Sequence, residues 1–244
     1  WRADRPQKGR FRQFVQCDID ILGDATCMAE IELILATATA LSKICKNEKF
    51  TVRINDRGIL RAMAVYSGFP EESMEQVFIT LDKLDKIGGE KVEKILTGEL
   101  GVPPEKALEI LRFISISGSN GEVLSALEEY RGRNETFDLG LDELGTVVKY
   151  LAAFGVPESH FCVDLAIARG LDYYTGTVYE TSMLDHPEIG SICSGGRYDN
   201  LAEYYTDKQL PGVGISIGLT RLFYVLEEQG YLNDQMNTAP ADVL

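Results

Sequence analysis

Arginine recurs in three separated settings: a basic stretch with Arg2, Arg5, Arg10 and Arg12; an Arg169-Gly170 pair; and Arg221, just beyond Gly212-Val213-Gly214-Ile215-Ser216-Ile217-Gly218. A guanidinium is charged at every working pH, and its planar fork matches two phosphate oxygens at once. Three such groups meeting in one cleft would suit a polyphosphate. The glycine spacing is neither a Walker A loop nor a dinucleotide fingerprint. Alternate glycines on one face of a strand would let a flat base approach the backbone, and close helix packing would use them equally well.

A second set of polar residues sits on a strand pattern. From Arg10 to Gly23 the side chains alternate in character with period two and stop at a glycine. The odd register, Val15, Cys17, Ile19 and Ile21, is apolar and is expected to face a core. The even register sets Gln16, Asp18 and Asp20 in a row, so that face is either wet or lines a polar cleft. Tyr173 and Tyr174, followed by Thr175-Gly176, can supply a wall and a hydroxyl to an aromatic ligand. On a strand the two rings would point to opposite faces, one into the core and one into the cleft. Ser194-Gly195-Gly196-Arg197-Tyr198-Asp199 reads as a tight turn into a helix, which accounts for its glycines and not for Arg-Tyr-Asp. His160 and His186 have no partner at metal-ligand or triad spacing, and no G-x-S-x-G elbow or Cys/His dyad occurs. No metal-ligating residues and no covalent hydrolase chemistry are expected.

The elements that must position these residues belong to an ordinary globule. A composition of 45% hydrophobic and 25% charged residues excludes a disordered tail, a collagen-like chain and a disulfide-stapled miniprotein. No apolar run approaches the ~18–20 residues of a bilayer-spanning helix, and the first residues lack the apolar centre of a signal peptide. A soluble, cytoplasmic chain with no membrane partner is expected. Cys17, Cys27, Cys45, Cys162 and Cys193 are scattered without a C-x-x-C pair, which points to free thiols in a reducing compartment. The net charge of −14 argues against binding nucleic acid by bulk electrostatics. Positive charge is nevertheless concentrated before Gln13, as a local anion site or a solvated basic tail.

After the first strand, apolar residues at helical spacing run from Asp24 or Thr26 as N-cap through Lys46. A short strand at Phe50–Ile54 and a helix from Asp56 to about Tyr66 follow. Residues 67–155 are rich in Glu, Lys and Leu, with helix patterns near Glu72–Ile87, Gly89–Thr97, Pro104–Ser115, Gly121–Tyr130 and Asp142–Phe154. Strand character returns at Phe161–Ile167, Thr175–Thr181, Ile192–Cys193 and Val213–Ile217, before a helix over Gly218–Glu228. The expected fold is α+β, a sheet flanked by helices with an inserted all-helical subdomain. Its divisions are residues 1–66, a first part of the core; 67–155, the helical insertion; 156–230, the second part of the core; and 231–244, a linker. The ends are expected to be cut from a longer polypeptide, with Ala241–Leu244 an incipient strand.

Jointly the motifs resemble one family. Trp1 to Gln16 is similar to motif 2 of class II aminoacyl-tRNA synthetases, in the form found in histidyl-tRNA synthetases. Ala168-Arg169-Gly170-Leu171-Asp172-Tyr173-Tyr174-Thr175-Gly176 resembles that family's histidine-binding signature. Cys193 to Asp199 resembles its second signature, and Gly212 to Arg221 its motif 3. They occur in family order, and the resemblance implies the class II antiparallel sheet. It also implies activation of L-histidine with ATP, Mg²⁺ bridging the outer phosphates, and transfer to tRNA(His) by a homodimer.

By the family pattern Arg2 would hold the α-phosphate and the substrate carboxylate, with Arg169 approaching from the other side in place of an additional metal ion. Arg10 and Arg221 would bind the bent triphosphate and clamp adenine. Asp20 would pair with the imidazole N–H and Gln16 with the α-amino or carboxylate group; Tyr174 would close the imidazole pocket with Tyr173 nearby. The sequence departs from the family in lacking motif 1, an upstream acidic contact and the C-terminal anticodon-binding domain, and in carrying Asp4 where many class II enzymes have Glu. The fragment by itself is therefore expected to be inactive or severely impaired. Two rival readings are the non-catalytic paralogue that regulates ATP phosphoribosyltransferase and a synthetase-like tRNA-sensing module. Retention of the four arginines speaks against both.

Overall fold

The computed structural model describes residues 1–3, 5–45, 49–168 and 173–232. The expectations placed on Asp4, Lys46, Arg169 and the stretch from 233 to 244 lie outside the described residues. In chain order the elements begin with β1 (Cys17–Leu22), α1 (Met28–Ile44), β2 (Phe50–Asp56) and α2 (Arg57–Tyr66). A helical stretch follows, comprising α3 (Met74–Leu81), α4 (Leu84–Ile87), α5 (Gly89–Gly98), α6 (Pro104–Ile114), α7 (Asn120–Glu128) and α8 (Glu135–Ala153). The chain then returns to the sheet through β3 (Phe161–Val163), β4 (Thr177–Met183), β5 (Ser191–Tyr198) and β6 (Gly212–Ile217), and ends its described part with α9 (Leu219–Glu228).

The six strands form one sheet in the order β1-β6-β5-β4-β2-β3. All neighbours run antiparallel except β2 and β3. The expected α+β architecture is therefore present. Helices α1, α2 and α8 pack against the sheet, and the buried core extends without a break from strand residues such as Ile54 and Ile215 into the helices.

Local chemistry sets most boundaries. Asp56 ends β2 and caps α2 by accepting from the Gly58 and Ile59 amides at 2.7 and 3.3 Å. Ser119 and Glu122 form a reciprocal capping box on α7. Helix α8 begins at Glu135 behind an Asn134 cap, seven residues earlier than its apolar pattern indicates. Gly140 masks that pattern for a packing reason: a Cβ there would lie 2.6 Å from Asp56 Oδ1. Close approach of α8 to the start of α2 requires the missing side chain.

Three strand expectations are corrected. Strand β1 starts at Cys17 rather than Arg10, because its partner β6 gives way to a helix after Ile217; Val15 bonds Thr220 instead, donating to Oγ1 at 2.8 Å. Its apolar register does not enter a core. As the edge strand it leaves Val15 and Ile19 exposed, with Cys17 exposed as well and Ile21 partly covered. The Ser194–Asp199 segment is not a turn into a helix, since it continues β5 through Tyr198. Strand β3 ends at Val163, where the chain turns through Asp164; that carboxylate pairs with Arg53 at 2.6 Å.

Beneath the sheet, Arg197 of β5 is 5% exposed and its guanidinium meets both oxygens of the buried Glu30 at 2.5 and 2.7 Å. The carbonyls of Asp24 and Thr26 at 3.2 and 2.8 Å and Asp199 Oδ1 at 3.1 Å accept its remaining protons. A buried ion pair survives only when every donor is satisfied in this way. None of the five cysteines forms a disulfide among the described residues, and no helix among them is long and apolar enough to cross a membrane.

Asp56 supplies a pH-dependent test of this packing. Burial first, then the nearby Glu143 charge, pushes its carboxyl up to about 7. The native state then holds a proton that the unfolded chain, at ~3.9, releases. Stability is therefore favoured below about pH 4 and falls as pH rises toward 7. Asp56→Asn will flatten that decline: its urea midpoint will rise relative to the parent at pH 8 more than at pH 4.

Candidate active site

A cleft of about 760 Å³ opens on the sheet face opposite α1. Its floor is β1, β6 and β5, in two cross-strand rows. Asp18, Ser216 and Ser194 make one, and Asp20, Gly214 and Gly196 the other. The even register of the first strand is thus a cleft lining, as its Gln-x-Asp-x-Asp pattern allowed. Arg2, Arg10, Gln16, Asp20, Tyr173, Tyr174 and Arg221 all line this one cavity. Arg169 lies outside the described residues; Ile167, just before it, lines the cleft.

The cationic wall is a hairpin docked on a helix. Gln7 and Arg10 exchange two backbone hydrogen bonds of 2.9 Å around Lys8-Gly9, with Gly9 at φ +65°. Any side chain there would be strained and would meet the Tyr224 ring. Against α9 the hairpin adds a Lys8–Glu228 ion pair at 3.1 Å and an edge-on Phe11–Tyr224 contact at 6.0 Å. The basic stretch is therefore a built wall rather than a solvated tail. Arg221 at the start of α9 donates to the carbonyls of Ser191 and, at 3.4 Å, Gly9.

Arg2 is aimed by neutral groups. Its guanidinium lies over the Phe14 ring, 4.8 Å from the centroid, and donates to Gln16 Oε1 at 3.2 Å. Gln16 in turn donates from Nε2 to Ser216 Oγ. No carboxylate neutralises Arg2 among these contacts, so its charge remains available to an anion.

The opposite end is acidic and aromatic. Asp20 lies four residues along β1 from Gln16, roughly 13 Å at strand rise. Tyr198 donates its hydroxyl to Asp20 Oδ1. Burial, and then that carboxylate, push the Tyr198 phenol up, so it stays a donor. Tyr173 stands edge-on to Tyr198 at 6.0 Å and tilted against Tyr174 at 4.7 Å. Burial first also raises the Tyr174 phenol. Residues 173–176 precede β4 and are not strand, so strand alternation does not apply and both tyrosines face the cleft. The Thr175 hydroxyl points instead to Asp199, at 2.8 Å.

The alternate glycines now have a specific occupant. A Cβ on Gly212 or Gly214 would collide with the Tyr198 ring or with Asp20, and one on Gly196 would lie 2.9 Å from Tyr174. The space they open holds the cleft's own tyrosines and carboxylate. Tyr198 is a site residue that the turn reading of this segment does not include; the signal in the sequence is the Arg197-Tyr198-Asp199 run that a turn leaves unexplained. Ser216 was likewise missed within the glycine run. His160 packs on Phe50 and His186 beside Glu188, both outside the cleft lining. No group of three or more acidic, His or Cys residues suited to a metal occurs among the described residues. The cleft can accept a ligand with anionic oxygens at one end and a polar aromatic ring at the other.

Because Gly214 makes room for the Asp20–Tyr198 pair, Gly214→Ala will displace both side chains. It will cost about 1–3 kcal/mol by overpacking, read as a lowered denaturant midpoint.

Comparison with known proteins agrees with this geometry. The family model described as Histidyl-tRNA synthetase matches residues 1–222. The chain is 47% identical, over its full length, to the Histidine--tRNA ligase of Clostridium tetani, covering 55% of that protein. It is also 47% identical to that of Xanthomonas axonopodis pv. citri, over 95% of the chain and 50% of the relative. The crystal structure of histidyl-tRNA synthetase from Nostoc sp. PCC 7120 superposes with a TM-score of 0.84 at 41% identity, over 91% of this chain and 52% of that one. A Bacillus halodurans structure described as an ATP phosphoribosyltransferase regulatory subunit/histidyl-tRNA synthetase has a TM-score of 0.73 over 90% of this chain and 55% of that one; at 23% identity it shows the shared fold alone. The chain thus spans about half the length of the curated relatives it matches. With a match from the hairpin arginines through Leu222 and a cleft that gathers the same motifs, the chain belongs to the histidyl-tRNA synthetase family.

Proposed function

We propose that the full-length protein carrying this chain activates L-histidine with ATP and transfers it to tRNA(His). The observation that supports this most is the gathering of Arg2, Arg10 and Arg221 at one end of the cavity whose other end holds Asp20 and three tyrosines. Mg²⁺ enters as part of the substrate MgATP, bound mainly through phosphate oxygens.

In the first step a histidine carboxylate oxygen attacks the α-phosphorus. The bond to the β-phosphate oxygen breaks, and pyrophosphate leaves with the electron pair. Negative charge grows on the equatorial oxygens, where fixed guanidinium groups stabilise it without a protein base. Arg2 supplies one such group, and Arg169, carried by the chain just past the cleft-lining Ile167, is assigned the opposite side. Arg10 and Arg221 hold the outer phosphates and adenine. In the second step a terminal ribose hydroxyl of the tRNA attacks the activated carbonyl and releases AMP.

Asp20 is assigned to the imidazole N–H. Tyr198 donates to its Oδ1, which steadies the carboxylate and leaves Oδ2 for that role. Gln16 is assigned to the α-amino or carboxylate group, and Tyr174 closes the ring pocket beside Tyr173. An apolar isostere of histidine would leave these polar groups unpaired once it covered them, a penalty that can reach ~10⁴ in discrimination. Homodimerisation and a cytoplasmic setting are part of the same reading. The exposed edge of β1, with Ile19 44% accessible, supports a strand that is covered in the intact protein.

Two measurements test this. The full-length protein will catalyse histidine-dependent exchange of pyrophosphate into ATP, and Arg169→Ala will abolish the exchange without changing the thermal midpoint; no exchange by the parent would favour the non-catalytic regulatory reading. Gln16→Ala will raise the histidine KM about tenfold, the scale of one hydrogen bond to a charged group. An unaltered histidine KM contradicts the Gln16 assignment.

A further inference from the structure

The tyrosine wall of the cleft stands on a segment outside any strand, yet the Tyr174 ring fits tightly over Gly196 and Tyr173 meets Tyr198 edge-on. What holds it lies on the far side of the sheet. The Thr175 amide donates to the Arg197 carbonyl at 2.8 Å. Its hydroxyl donates to Asp199 Oδ2 at 2.8 Å, and the Asp199 amide donates back to that hydroxyl at 3.1 Å. Asp199 Oδ1 accepts from Arg197 Nη1 at 3.1 Å, and Arg197 is locked by Glu30. A continuous run of hydrogen bonds therefore joins the buried ion pair under β5 to Thr175, the residue that follows the two tyrosines in the chain.

We infer that Thr175 and Asp199 are positioning residues that latch the Tyr173–Tyr174 wall to the buried Arg197–Glu30 pair, and thereby set the affinity for the aromatic end of the substrate. Neither side chain lines the cleft, and Thr175 is exposed, so neither touches substrate. With the latch open, Tyr174 is free to leave Gly196, and the edge contact that steadies Tyr198, and through it Asp20, is lost. Arg2, Arg10 and Arg221 stand before β1 and on α9, outside this run of bonds. The identity of that aromatic end as imidazole rests on the function proposed above.

Thr175→Val keeps the size and the amide while deleting the hydroxyl; Thr175→Ser restores it. In histidine-dependent pyrophosphate exchange by the full-length protein, Thr175→Val will raise the histidine KM about tenfold, with the ATP KM within about twofold of the parent. Thr175→Ser will behave as the parent does. In hydrogen–deuterium exchange without substrates, the peptide over residues 173–176 will exchange faster in the Val variant than in the Ser variant. An unchanged histidine KM, an equal rise in both KM values, or unaltered protection of residues 173–176 overturns the latch. Absence of exchange activity in the parent would refute the proposed function instead, and the protection measurement would still decide the latch.

Discussion

The cleft exists because side chains are missing from one face of two adjacent strands. Gly196 on β5 and Gly212 and Gly214 on β6 leave the sheet bare where Tyr174, Tyr198 and Asp20 lie against it. A Cβ at any of these positions meets a ring, a carboxylate or backbone within van der Waals distance, so the floor cannot be altered without moving the walls. Glycine weakens a strand by its conformational entropy. That cost is offset here by antiparallel neighbours on both sides of β5 and β6.

Charge is managed differently on the two faces of the same sheet. Below it, Arg197 and Glu30 satisfy each other and nearby carbonyls, which suits a position with almost no solvent. Above it, Arg2 is steered by a ring and an amide, partners that orient a cation without cancelling it, and Arg221 donates to backbone carbonyls. A chain of net charge −14 can thus present positive potential at one spot. The hairpin around Gly9, docked on α9, brings two of these cations together from opposite ends of the described sequence.

The helical stretch is tied into the same core rather than set beside it. Helix α8 approaches α2 closely through Gly140, next to the buried Asp56 cap. That cap serves two masters: its carboxylate accepts two amides, while burial and Glu143 disfavour the charge. One pH-sensitive contact of the fold therefore sits at this junction, away from the cleft.

Residue order by itself determined the chemistry on offer. Permanent cations, an alternating Gln-x-Asp-x-Asp row and paired tyrosines are side-chain properties that do not need a fold to be stated, and the family motifs carry them in register. Some helix starts were legible too, as at the Asp56 cap and at Pro104 in the first turn, because caps and first-turn prolines act locally, whereas α8 begins before its apolar pattern. Tertiary structure alone decided where apolar and glycine-rich patterns ended up. Periodicity gives two faces to β1 but cannot say that an edge strand leaves Val15 and Ile19 uncovered. Nor can it tell glycines of a turn from glycines that clear a floor for rings arriving from residues 174 and 198. Those outcomes depend on which distant segment takes the neighbouring space, and packing between segments far apart in sequence is not encoded in any local pattern.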